Sequence, residues 1–571
     1  MPLLRVLDLS HSFMFKELPA GIGNLAELRY LNLSHTDIVS LPEEMRNLVK
    51  LQHLNLQHSF LQELPAGIGS LVELRYLNPS ATRIRSLPEE MRNLVKLQHL
   101  NLWHSFLQEL PVGFGNLAEL RYLNLSGTGI TSLPEEMKNL VNMQHLEFQS
   151  SCLQELPAGI GDLAELQYLN LSNTWIRSLP EEIGNLVKLK HLDLRTVFLD
   201  RIPQGAISRL SELRVMKLYN SMWEEGSEGF NISELESLEH LIHLDLTTST
   251  VHDLERLLGS SKLLKVTRFL QLEGCEGLTT SIRLSYLFTE IRRISIEKCN
   301  MLEEVTIGAD GETYDDYPVS SLEYLHLRNN SGLKCILVGC GCFENLSSIS
   351  IEHCYKLKKI DSLLQLESLE KIEISNCYEL EEVISKIADD DDDDEEVGDK
   401  GLMQLSFISL KNVPKLTSIW SDALHFPSLE VMEVSACPKL KKLPLSLHSA
   451  HNSLREIRGG KECMMTSKGF DDIEACLMLS NYRAELHRIA AIRAGPNKKD
   501  LDLAYHIEHL HMAKQKIREE KLKLEDRCSA TATYGRADTS DIHIHKGSKG
   551  KLRNSKHGLS SRPNLQMEEG S

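Results

Sequence analysis

The first 220 residues repeat one short pattern of apolar and polar positions. The hexamer Leu-x-x-Leu-x-Leu begins at Leu4, Leu28, Leu51, Leu74, Leu97, Leu120, Leu166, Leu189 and Leu213, with Met143 taking the first place once. Seven successive intervals, from Leu28 to Leu189, are 23 residues long, and the flanking ones are 24. A looser series follows near Leu241, Thr267, Ile291, Leu322, Leu346, Leu369, Leu405, Leu429 and Leu454, which brings the count to about nineteen units. One leucine-rich hexamer is weak evidence, because any amphipathic segment produces one. An unbroken run of identical spacings defines a repeat architecture.

Within residues 28–34 (Leu-Arg-Tyr-Leu-Asn-Leu-Ser), alternation with period two predicts a short strand. Leu31 and Leu33 then point inward, and Tyr30, Asn32 and Ser34 point outward. The return leg, residues 36–42, adds Ile38 and Leu41 to the same interior. One such unit cannot bury both of its apolar faces alone, so neighbours must cover them and the chain must stack along one axis. The pattern L-x-x-L-x-L-x-x-(N/C) at this period is that of leucine-rich repeats. The predicted fold class is therefore α/β: a leucine-rich-repeat solenoid (a horseshoe) with a parallel β-sheet on its concave face, plus a helical and partly disordered C-terminal tail. Regular 23-residue repeats are expected over 1–220, and irregular Cys-type repeats with an acidic loop near 388–400 over 221–460. A helical segment is expected over 461–527, and a disordered basic tail over 528–571.

Three finer features refine the picture. Three residues after the second strand leucine stands a small hydroxyl (Ser12, Thr36, Ser59, Thr82, Ser105, Thr128, Ser151, Thr174) or, later, a thiol (Cys275, Cys299, Cys354, Cys377, Cys437). Such side chains suit the point where the chain leaves the strand and backbone amides need partners. The regular half also has a period of 46, since LPAGIG-type units at Leu18, Leu64, Leu110 and Leu156 alternate with LPEEM-type units at Leu41, Leu87, Leu133 and Leu179. Finally, Asn78-Pro79 puts proline where a strand leucine belongs, which removes a ladder donor and predicts a local defect.

Composition and charge narrow the function classes. The chain has 571 residues, 41% of them hydrophobic, 25% charged and only 6% aromatic, so leucine supplies much of the core. The net charge of -18 argues against nucleic acid or an anionic membrane as the main partner. No 18-residue apolar run occurs, so no membrane span is expected. The opening MPLLRVLDL carries Arg5 and Asp8 where a secretory signal needs an apolar stretch, and the chain reads as cytoplasmic. Twelve cysteines without a CxxC pair read as structural thiols in a reducing compartment, not as disulfides or metal ligands.

The candidate functional surface lies on the outward strand positions. One stripe reads Tyr30, His53, Tyr76, His99, Tyr122, His145, Tyr168, His191, and Trp103 sits just past its strand beside His104. These residues are the expected partner-binding site, because exposed aromatics act as interface anchors. The bland alternative is ring stacking along a duplicated ladder. A second stripe, Asn32, Asn55, Asn78, Asn101, Asn124, Glu147, Asn170, Asp193, adds amides that suit adaptable contacts. Histidines two strands apart are roughly 9–10 Å from each other, too far to share a metal ion. The Glu pairs at 43/44, 89/90, 135/136 and 181/182 read as a solvated face, and the Asp389 to Glu396 run as a self-repelling loop. Asn-x-Ser sequons at Asn32, Asn124 and Asn170 are by-products of the strand motif. No GxxxxGK[ST], GxSxG or HExxH motif occurs, so neither enzyme activity nor a catalytic, cofactor or metal site is expected.

The units LPAGIGNLAELRYLNLSHTDIVSLPEEM, then IEKCNMLEEV, IEHCYKLKKI and FPSLEVMEVSACPKLKKLPL, resemble the leucine-rich-repeat region of plant intracellular immune receptors. More narrowly, they are similar to the coiled-coil class of nucleotide-binding leucine-rich-repeat disease-resistance proteins, and the likeness covers roughly residues 1–460. In that family a signalling domain and a nucleotide-binding switch precede the repeats. The repeats restrain the switch and sense a pathogen effector or a guarded host protein. The resemblance thus implies recognition of proteins, with ADP or ATP entering only through a nucleotide-binding domain, in cis or in trans, of which this chain carries no residue. Two alternatives are a stand-alone cytosolic scaffold similar to the Ras-group leucine-rich-repeat proteins, and an enzyme or substrate-recruiting ligase subunit, for which no catalytic or adaptor motif appears.

Overall fold

The computed structural model describes residues 3–459 apart from 220–229, 276, 279, 285–289, 309–319, 340–342, 362, 364–365, 385–401, 421–425 and 441–454. The expected acidic loop, the helical segment 461–527 and the tail 528–571 lie outside the described residues.

Among the described residues, nineteen strands form one sheet. Each pairs in parallel with the strand of the next unit, from Val6–Asp8 against Tyr30–Asn32 to Val431–Ser435 against Glu456–Gly459. There is one strand for each unit counted from the hexamers. In the regular half the register is fixed by the repeat itself: Tyr30 lies opposite His53, Leu31 opposite Leu54, and Asn32 opposite Asn55. Leu28, Leu31, Leu33 and Ile38 are fully buried, and equivalent residues of each unit continue the same core. Period-two alternation thus gives the strands, and stacking supplies the burial that a lone three-residue strand lacks.

Each return leg of the regular half turns through a short 3₁₀ helix, for example Ala20–Asn24, Glu43–Asn47 and Ala66–Ser70. Most begin directly after a proline, whose fixed φ (-67° at Pro19, -74° at Pro42) presets the turn without needing an N–H donor. The 46-residue alternation has a steric cause. A Cβ built on Gly69 would lie 2.4 Å from the Glu90 carbonyl oxygen, and one on Gly161 would lie 2.5 Å from that of Glu182. The glycine-containing turn is therefore the bed on which the Glu-Glu turn of the following unit lies.

Proline at position 79 shortens the ladder as its chemistry requires. Strand Tyr76–Asn78 keeps three paired residues towards His53–Asn55 but only two, Tyr76 with His99 and Leu77 with Leu100, towards His99–Asn101. The ladder resumes where the Ala81 N–H donates to the Trp103 carbonyl at 2.6 Å.

After residue 230 the return legs change character. Helices Ser233–Glu236, Val251–Gly259 and Ser261–Val266 replace the 3₁₀ turns, the second capped by the Thr250 hydroxyl accepting from the Asp253 N–H at 3.0 Å. Beyond them the return legs become strands. Thr280–Leu284, Leu302–Ile307, Cys335–Val338 and Lys359–Asp361 make a second parallel sheet, and Glu382–Ile384 pairs with Ser418–Trp420. This second sheet was not expected from the repeat pattern, although Leu-Glu-Glu-Val-Thr-Ile spaces its apolar residues as the first strands do.

Candidate functional site

The sheet face of the regular half is built on the outward residue that opens each strand. Tyr30, His53, Tyr76, His99, Tyr122, His145, Tyr168 and His191 form one continuous stack of eight rings. Successive centroids lie 4.0 to 4.9 Å apart, with planes within 3 to 22° of parallel. In-register strands set that spacing, so the rings touch face to face and each is half-buried. Trp103 stands outside the stack, 37% exposed, edge-on to His104 at 4.4 Å and to His58 at 6.3 Å. The nine residues expected to bind a partner therefore comprise a ribbon of eight rings that presents edges and hydroxyls to solvent, and one more exposed indole beside it.

Burial shifts the titration of several ribbon residues. Desolvation between two tyrosine rings pushes His99 down to about 4, with smaller contributions from the charges of His53 and His145. His191 also falls to about 4, chiefly by desolvation and secondarily by Lys217. Burial pushes the Tyr76, Tyr122 and Tyr168 hydroxyls up. A histidine held below its ordinary value of 6.5 binds fewer protons folded than unfolded, so its contribution to stability is complete above about 6.5 and fades as pH falls towards 4. Melting temperature should accordingly fall between pH 6.5 and 4. His99→Phe, which keeps the ring but not the proton site, should flatten that slope; an unchanged slope in thermal melts across the window would refute the assignment.

The second stripe needs correction. Asn32, Asn78, Asn124 and Asn170 were expected as outward amides for binding, yet all four are buried. Their Oδ1 atoms accept the N–H two residues on: Ser34 onto Asn32 at 3.1 Å, Ser80 onto Asn78 at 3.2 Å, Ser126 onto Asn124 at 2.8 Å, and Ser172 onto Asn170 at 3.0 Å. Asp193 does the same for Arg195 and also holds its guanidinium, with Nη2 2.6 Å from Oδ2. The amides form Asx turns that lead into a left-handed residue, such as His35 at φ 55° or His58 at φ 53°. They are spent on the turn, and Ser34 is buried with them. The same contacts bury the sequon asparagines.

From Thr36 to Thr174 the hydroxyl column is buried as its size suggests, but five of its members bond the other way, and the Ser105 and Ser151 hydroxyls have no partner among the described residues. Thr36, Ser59, Thr82, Thr128 and Thr174 donate to the carbonyl three residues earlier, at 2.6 to 2.8 Å, where amides were the expected partners. The five cysteines that replace them are buried, their sulfurs facing carbonyl oxygens, as Cys437 faces Ser435 at 3.4 Å. Burial pushes the Cys354 thiol up to about 12, far from reactive thiolate. Among the described residues, no group of three or more His, Cys, Asp or Glu side chains is placed to hold a metal ion.

One feature escaped sequence reasoning. Phe13, Phe60, Phe106, Trp175 and Phe198 occupy one position past the strand turn and stay exposed, Phe13 at 71% and Phe106 at 61%. Arg83 lies over the Phe60 ring at 4.9 Å, and Trp175 meets Phe198 at 6.1 Å. Beside them His11, His35 and His58 stack at 4.5 and 4.7 Å. The thrice-repeated His-Ser-Phe at 11–13, 58–60 and 104–106 was the available signal.

The architecture is a solenoid of stacked parallel-stranded repeats whose main sheet carries a ribbon of rings on its outer face. The sequence profile of the leucine-rich repeat region matches residues 1–71 and 112–420, and the chain belongs to that family. It is 32% identical over 245 residues to a probable disease resistance protein of Arabidopsis thaliana, covering 43% of this chain and 28% of that one. It is 31% identical over 243 residues to the Arabidopsis disease resistance protein UNI, covering 43% and 24%. The chain thus spans about a quarter of the length of the curated relatives it matches. Among solved structures, a leucine-rich-repeat protein of Leptospira interrogans is 24% identical, with 67% of this chain and 91% of that one covered at a TM-score of 0.40. No helix of the described residues is long and apolar enough to cross a membrane.

Proposed function

We propose that this chain is the recognition module of a plant intracellular immune receptor of the nucleotide-binding, coiled-coil class. In this reading it works in the cytoplasm and senses a pathogen effector or a guarded host protein through the sheet face of its regular half. The observation that carries the proposal is the joint one: repeat units similar to disease resistance proteins, and a ribbon of rings from Tyr30 to His191 flanked by Trp103. In a full-length receptor the same repeats would also restrain the nucleotide-binding switch, and that switch alone would bring ADP or ATP.

Two experiments test this. Sequencing the transcript 5′ of the Met1 codon should find a continuous reading frame with a phosphate-binding loop. An in-frame stop there would overturn the receptor in favour of a stand-alone scaffold. A photo-cross-linking residue at position 103, in tagged protein expressed in leaf tissue, should capture a polypeptide that the same residue at Val72, on the return leg, does not. Tyr76→Glu, His99→Glu and Trp103→Glu together should abolish binding of that polypeptide, and Trp103→Glu alone, which leaves the ring ribbon intact, should weaken it about tenfold. Equal capture at both positions would refute the placement of the site.

A further inference from the structure

The charge around this face points to the chemistry of its occupant. In the five units from Arg29 to Ser126, the outward positions of the strands and of the residues flanking them carry Arg29, Arg75 and Arg121 but no carboxylate. That is unusual in a chain of net charge -18. Asp8 on one side and Glu147 and Asp193 on the other bound the strip. The three arginines are exposed, each directly preceding a tyrosine of the ribbon, and none makes an ion pair among the described residues. The acidic residues nearest in sequence are paired chiefly with lysines, Glu27 with Lys50 at 2.5 Å and Glu73 with Lys96 at 2.6 Å, and Arg29 and Arg75 add only a smaller charge effect on them. Glu119 is the exception, because Asn142 stands where the lysine would be and donates instead to the Ala118 carbonyl at 2.9 Å.

Spacing adds a second constraint. The arginines recur every 46 residues, two strands apart, so they stand about 9–10 Å from one another along the sheet. An extended polyproline-II segment rises about 3.1 Å per residue and returns to the same face every third residue, or about 9.3 Å. The two periods agree. We propose that the strip from Arg29 to Ser126 takes an acidic, extended polypeptide segment running across the strands, with a carboxylate at every third residue facing Arg29, Arg75 and Arg121. The inference rests on the recognition reading and names the partner's chemistry. Trp103, in the fourth of the five units and past the end of strand His99–Asn101, offers an exposed apolar surface at the edge of the strip opposite the arginine row.

The test uses the full chain and three labelled synthetic peptides, read by fluorescence anisotropy: a Glu-Pro-Pro pentarepeat, a peptide of the same composition with its glutamates in one block, and a Lys-Pro-Pro pentarepeat. The first should bind best, and raising salt from about 50 to about 300 mM should weaken it. Arg29→Gln, Arg75→Gln and Arg121→Gln together should reduce its affinity at least about tenfold with an unchanged melting curve, because all three sites are exposed. Equal binding of the pentarepeat to variant and parent, or equal binding of the lysine peptide, would overturn the proposal. The cross-link at position 103 separates the two readings. If it persists in the triple arginine variant while the acidic peptide fails to bind, recognition stands and only the acidic partner falls. If the cross-link is absent while the peptide binds through the arginines, the sensing role falls and the acidic strip stands.

Discussion

Leu123→Asp should unfold a block of neighbouring units, not one strand. Leu123 is fully buried in strand Tyr122–Asn124, in register between Leu100 and Leu146, and both of those are fully buried too. An aspartate there must keep its charge without water or a partner, or take up a proton; either costs several kcal/mol. A stacked array passes stability only between neighbours, so the loss should spread over the adjoining units and then stop. Hydrogen exchange should show protection lost in the strands around 100, 123 and 146 and kept in those beyond residue 290. Thermal melting should split or fall by many degrees. A variant that melts and exchanges like the parent would show that Leu123 does not point into the core.

Gly69→Ala should be costly for so small a change. Its Cβ would lie 2.4 Å from the Glu90 carbonyl oxygen and 2.6 Å from the Glu90 Cβ, so the following turn must move bodily. Overpacking of this kind costs about 1–3 kcal/mol. Gly21 is the control, because a Cβ there meets nothing within 4 Å. Gly21→Ala should be neutral or slightly stabilising, through the narrowed unfolded ensemble. Urea midpoints of the two variants decide the matter; equal shifts would mean that the close approach seen at Gly69 is relieved without strain.

Most of the architecture was legible because its signal is short-ranged and reinforced by repetition. Alternation placed Leu31 and Leu33 inside, and the interval between hexamers set the register that brings Tyr30 opposite His53. Proline 79 was legible because a missing N–H has the same consequence in any sheet. What failed were inferences that need to know a neighbour. The asparagine column looked available in one dimension, yet in three each carboxamide finds a backbone N–H two residues along and is covered by the adjacent unit. The stacked rings were an alternative on paper and became the geometry once strand spacing matched ring thickness. The exposed Phe13, Phe60 and Phe106 went unremarked because His-Ser-Phe recurs only in alternate units and carries no strand alternation of its own.

The nesting of Gly69 against Glu90 also governs how such a gene can lengthen or shrink. Unequal crossing-over that removes 46 residues restores every glycine bed beneath a Glu-Glu turn and leaves the Tyr–His alternation in phase. Removal of 23 residues would set two like turns against each other and two tyrosines, or two histidines, side by side. Length variants in natural populations should therefore differ by even numbers of units across this half.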